Sequence, residues 1–171
     1  MSRGPMHRMA AGMLILACLL VIAGSRAGFT QTAGGDAGES SEKTLSPEEK
    51  ARLKKLDDGP KKIDVSTYPS EQQAAYPLFT KKCAKCHSIG RPINTDFVLP
   101  SQWERYVKRM TFKPNSKISE AEGKSIYHFL VYDSSVRKAA KLKERLATLS
   151  PEERQAEMVK LGAINPAFKA E

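Results

Sequence analysis

Apolar residues recur along this chain at the three- and four-residue steps of helices, and nowhere do they alternate as a half-buried strand requires. Trp103, Tyr106, Val107 and Met110 fall at i, i+3, i+4 and i+7, one stripe of a helix opening near Ser101. Ala75, Phe79 and Cys83 follow at four-residue steps on a second helix. Ile126, Phe129 and Leu130 mark a third, predicted over Glu120–Tyr132. Serine boxes punctuate these patterns at Ser46…Glu49, Ser70…Gln73, Ser101…Glu104, Ser119…Glu122 and Ser150…Glu153. In such a box the serine oxygen accepts the backbone N–H three residues on, while the acid or amide side chain reaches back. The chain is therefore predicted to be all-α. Pro77 sits inside the second pattern and predicts a helix that starts near it or kinks there.

The opening residues follow a different rule. Arg3, His7 and Arg8 precede an apolar run over residues 9–24, and Ser25-Arg26-Ala27 offers small residues for cleavage before Gly28. That is the arrangement of a secretory signal peptide, so residues 1–27 are expected to direct export, to the periplasm in a bacterial cell. The run of 16 residues is shorter than the ~20 that span a bilayer, which makes an uncleaved membrane anchor the rival expectation. Cys18 lies in this run and is expected to leave with it. Residues 28–44 are mostly Gly, Ser, Thr and Ala, too poor in apolar surface to offset their ordering entropy. With the charged helix after Ser46 they make a flexible and helical linker over 28–62. Residues 63–134 hold most aromatics, the only Trp and the two remaining cysteines, and are expected to be the functional domain. Residues 135–171 form a charged helical extension whose Leu142, Leu146, Met158 and Leu161 either pack back on that domain or clasp a larger complex.

Charge narrows the partners. The chain carries a formal net charge of +9, and cleavage after Ala27 takes three arginines and no acid, leaving +6. No module interleaves aromatic with basic residues for base stacking, so nucleic acid is excluded as the expected partner. Anionic membrane and acidic proteins remain.

The chemistry is concentrated in Cys83-Ala84-Lys85-Cys86-His87. Two thiols three residues apart on a helical turn point the same way and add to the two vinyl groups of one haem. The following histidine then stands beneath the iron as proximal ligand. A bare CxxC also serves redox disulfides and zinc sites. The first expects a βαβ setting that this chain lacks. The second would need Cys83, Cys86, His87 and His128 around one ion, with Cys86 and His87 adjacent and awkwardly placed to share it. One covalent haem c is the expected cofactor.

These residues resemble those of small class I-like cytochromes c over about residues 70–134. The pattern comprises CxxCH, Trp103-x-x-x-Val107-x-x-Met110, then Lys113-Pro114-Asn115 and Ile126-x-x-Phe129-Leu130. The resemblance implies a helical haem domain, a cytochrome c domain over 63–134, in which the methionine after the tryptophan helix is the distal ligand. Met110 is thus expected to complete the axial pair with His87. His128 and Met158 are the alternatives, as is a five-coordinate iron. Trp103 is expected to pack against the haem or to donate its indole N–H to a propionate, against plain core packing. His87 needs an acceptor for its other ring nitrogen, expected from a backbone carbonyl in the Ile89–Pro100 loop.

Met/His ligation would leave no position for substrate, which predicts a one-electron carrier rather than an enzyme. Lys81, Lys82, Lys85, Arg91, Lys108, Arg109 and Lys113 would form a basic collar steering acidic redox partners. The other function in view is a ligand-binding or peroxidase-like haem protein with an open sixth site, or a haem subunit inside a larger oxidoreductase complex.

Overall fold

A computed structural model describes residues 45–170. All regular structure among them is helical: α1 (Pro47–Asp58), α2 (Ser70–Cys83), α3 (Gly90–Asn94), α4 (Pro100–Thr111), α5 (Glu120–Arg137), α6 (Ala139–Ala147) and α7 (Pro151–Gly162).

Three of the five serine boxes close as expected. Ser46, Ser119 and Ser150 accept the amides of Glu49, Glu122 and Glu153, whose carboxylates accept the serine N–H in return. In the other two a proline resets the start. Pro100 takes the first position of α4, where its missing N–H costs nothing and its fixed φ suits the helix. Gln102 Oε1 accepts from the N–H groups of Val98 and Leu99, both at 3.0 Å. Ser101 N–H donates instead to Glu157 of α7 at 3.0 Å, and Glu104 pairs with Lys160 of α7 at 2.5 Å. Pro69 caps α2, and Gln73 Nε2 turns back to the Tyr68 carbonyl at 2.8 Å. Pro77 does not start the helix, because α2 runs through it from Ser70.

α2 and α5 meet through aromatic rings. Phe79 and Phe129 are fully buried and stack at 5.2 Å, with Tyr76 at 5.5 Å from Phe129. Ala75, Phe79 and Cys83 all lie on the buried side of α2. α5 continues past Tyr132 to Arg137, longer than its apolar pattern predicts. The polar residues that blur the pattern there are buried and satisfied. Asp133 accepts from Tyr68 Oη at 3.0 Å and from Arg137 Nε and Nη2 at 3.0 and 2.6 Å. Ser134 accepts from Trp103, and Ser135 accepts from Asn165 Nδ2 at 2.8 Å.

α6 and α7 add to the same core. Leu142, Leu146 and Leu161 are at most 1% exposed, while Val136 and Val159 stay at the surface. α5 thus runs across residues 134 and 135, and the charged extension shares its packing. Among the described residues no helix is long and apolar enough to cross a membrane. Residues 9–24, on which export and anchoring turn, lie outside them.

Candidate haem site

A cavity of about 710 Å³ is walled by α1, the end of α2, the segment from Cys86 to Phe97, α4 and the turn that follows it. That falls within the ~300–1,000 Å³ of small-molecule sites. Cys83, Cys86, His87 and Met110 all line it, together with Leu53, Leu56, Phe97 and Ile118. The stripe and the pentapeptide, 23 positions apart from His87 to Met110 in the numbering, are brought to one space by the packing of α2 and α4 against α5.

α2 ends at Cys83, where the Ala84 N–H closes the last turn on the Thr80 carbonyl at 3.1 Å. Both cysteines are free thiols, Cys83 buried and Cys86 exposed. Burial pushes the Cys83 thiol up to about 12, so it stays protonated, unlike a nucleophilic dithiol. His87 Nδ1 lies 2.9 Å from the Ser88 carbonyl oxygen. A carbonyl only accepts, so Nδ1 carries the proton and Nε2 keeps its lone pair. The acceptor is one residue ahead of the Ile89–Pro100 loop in which it was expected, because the chain turns directly after the histidine.

The alternative ligands lie elsewhere. His128 packs beside Tyr127 on α5 with ring centroids 5.7 Å apart, and Met158 of α7 packs against the core; neither lines the cavity. Among the described residues no three His, Cys, Asp or Glu side chains gather as a metal-holding group. The zinc arrangement of Cys83, Cys86, His87 and His128 is therefore not assembled.

Trp103 departs from its expected place. It is fully buried and does not line the cavity, and its Nε1–H donates to Ser134 Oγ at 2.8 Å. Phe97 and Tyr106 meet it edge-on at 5.6 and 5.8 Å, and Lys138 Nζ stands 5.5 Å from its ring centroid. The indole N–H is thus committed to α5, and the residue packs as core. Tyr106 comes to the wall in its stead. Its hydroxyl is buried without a hydrogen-bond partner, and burial raises its pKa, keeping it a donor. An orphaned donor of this kind is satisfied when an occupant brings an acceptor.

Of the expected basic collar, Lys82, Arg91, Arg109 and Lys113 line the cavity, whereas Lys81, Lys85 and Lys108 are exposed away from its lining. Lys82 is committed to Glu122 at 2.7 Å and to the Lys117 carbonyl at 2.6 Å. Arg91 is committed to Asp57, whose carboxyl it holds below the usual range.

α1 falls in the stretch expected to be linker, yet Leu45, Glu49, Arg52, Leu53 and Leu56 all line the cavity. The signal was present: Leu53 and Leu56 stand three residues apart, on one face of α1. Comparisons with protein-family models, with curated proteins and with solved structures find no match to this chain.

Proposed function

We propose that the chain is an exported one-electron carrier holding a single haem c through Cys83 and Cys86, with His87 and Met110 as axial iron ligands. One observation carries this reading: both free thiols, the histidine and the methionine stand on the wall of one cavity of about 710 Å³. Three further features fit the same group. His87 presents the tautomer an iron ligand needs. Leu53, Leu56, Phe97 and Ile118 give an apolar lining, and the Tyr106 hydroxyl awaits an acceptor.

When bound, such a group supplies a reversible ferric/ferrous couple whose ferrous form Met/His ligation favours. The chain's own residues do the rest. The Ser88 carbonyl fixes the imidazole, Met110 would offer its thioether to the iron, and Leu53 and Leu56 would keep water from the cavity. Arg52, Arg109 and Lys113 keep the mouth basic, which favours an acidic redox partner and slows its encounter as salt rises. Residues 9–24 would direct export or tether the protein to a membrane.

The test is production of the full chain in a host that matures c-type cytochromes. One covalent haem per chain is expected by intact mass and haemochrome spectrum, and none in the Cys83→Ala, Cys86→Ala double variant. Met110→Ala should lose the methionine-to-iron charge-transfer band and gain carbon monoxide binding in the reduced state. An unchanged band would sink the Met110 assignment, and a matured chain without covalent haem would sink the function.

A further inference from the structure

α1 buries none of its residues, and its leucines stand apart from the side chains that pack on the hydrophobic core. Leu53 and Leu56 line the cavity instead. The helix is fixed at its C-terminal end by polar contacts. The Asp57 carboxylate grips Arg91 at two points, Nη2 at 2.5 Å and Nε at 3.0 Å. The Asp57 carbonyl accepts from Ser88 Oγ at 2.9 Å, and Asn94 Nδ2 donates to the Leu56 and Pro60 carbonyls at 3.0 Å each. Gly90 allows the approach: a Cβ there would lie 2.8 Å from the Leu56 carbonyl oxygen and 2.9 Å from that of Asp57.

The helix is thus latched at its C-terminal end, and among the described residues Leu53 and Leu56 face the cavity rather than the hydrophobic core. We infer that α1 is the cover of the haem cavity and that Asp57 is the positioning residue that holds it there. The inference rests on the proposed function for the occupant. Asp57 acts through Arg91 on α3 and through Ser88, whose own carbonyl orients His87. With α1 seated, water is kept from the cavity, and a drier site favours the less charged ferrous state.

The experiment uses the haem-loaded full chain as wild type, Asp57→Ala, Asp57→Glu and Gly90→Ala. Hydrogen exchange is followed over residues 47–58, and the midpoint potential is measured. Asp57→Ala and Gly90→Ala should speed α1 exchange by about tenfold while α2 and α5 keep wild-type protection, and Asp57→Glu should restore most of it. Gly90→Ala changes no charge, so its potential should fall through water entry alone. The haem-free Cys83→Ala, Cys86→Ala chain should also exchange faster in α1 than the loaded protein. Less than about a twofold change in α1 in both latch variants would overturn the inference. So would faster exchange with an unchanged potential in Gly90→Ala, or equal α1 exchange with and without haem. In each of those cases the loaded chain still carries haem, so the electron-carrier reading survives. Absence of covalent haem from the wild type defeats both.

Discussion

Ser134→Ala is the sharpest probe of how the tryptophan is used. Both partners are fully buried, and the indole N–H donates to the serine oxygen at 2.8 Å. Alanine leaves almost no void, so the main effect is a buried donor with no acceptor, which costs about 1–3 kcal/mol. With a urea slope near ~2 kcal/mol/M, a loss of ~2 kcal/mol moves the unfolding midpoint down by about 1 M. Far-UV circular dichroism follows this without relying on any haem signal. Trp103→Phe removes the donor, so adding Ser134→Ala to it should cost less than in the wild type, a coupling of about 1 kcal/mol or more. The reduction potential of the loaded protein should stay where it was in Ser134→Ala, because the bond lies away from the cavity lining. A midpoint drop below about 0.3 M together with a shifted potential would refute the reasoning. It would mean that the indole N–H works inside the cavity after all.

Other outcomes follow from the same packing. Asp57 binds its proton less readily in the folded chain than its ordinary value of 3.8 implies, because Arg91 hydrogen-bonds the carboxylate. Its contribution to stability is fully present above that value and disappears as pH falls through the lower folded one. Asp57→Asn should therefore lose less stability than wild type between pH 6 and 3 by urea midpoint, and equal losses would contradict this. Leu142→Ala, at a fully buried site of α6, should cost about 2–5 kcal/mol of unfolding free energy. A neutral result would show that the extension is not part of the core. Reduction of anionic ferricyanide should slow with added salt while that of a cationic ruthenium amine quickens, and parallel trends would remove the case for a basic docking face.

Helix content was readable because periodicity and serine boxes act locally. Ser46, Ser119 and Ser150 need only their own helical turn to close. Ser70 and Ser101 failed as starts because a neighbouring proline outranked the serine, a competition the box pattern does not weigh. The end of α5 was missed because Asp133, Ser134 and Ser135 are polar and yet buried; their partners come from Tyr68, Trp103 and Asn165, far away in sequence. Of the residues on the cavity wall, Cys83, Cys86 and His87 stand out in the sequence as a contiguous motif, and Met110 as the end of the α4 stripe. Trp103 shared that stripe, but which side chains reach a cavity depends on the crossing of α4 with α5. Tyr106 and the leucines of α1 entered the wall for the same reason, through contacts no local pattern encodes.

The long α5 has a consequence for the order in which this molecule is completed. Phe79 gains its stacking partner only with Phe129, and the core closes only once Leu161 has been made. Synthesis proceeds from the N-terminus, so residues 83–110 emerge well before the helices that bury them. During that interval Cys83, sequestered in the finished fold, stands as open as Cys86. The architecture thus leaves a window of unfolded chain in which both thiols are accessible, and it shuts that window from the far end.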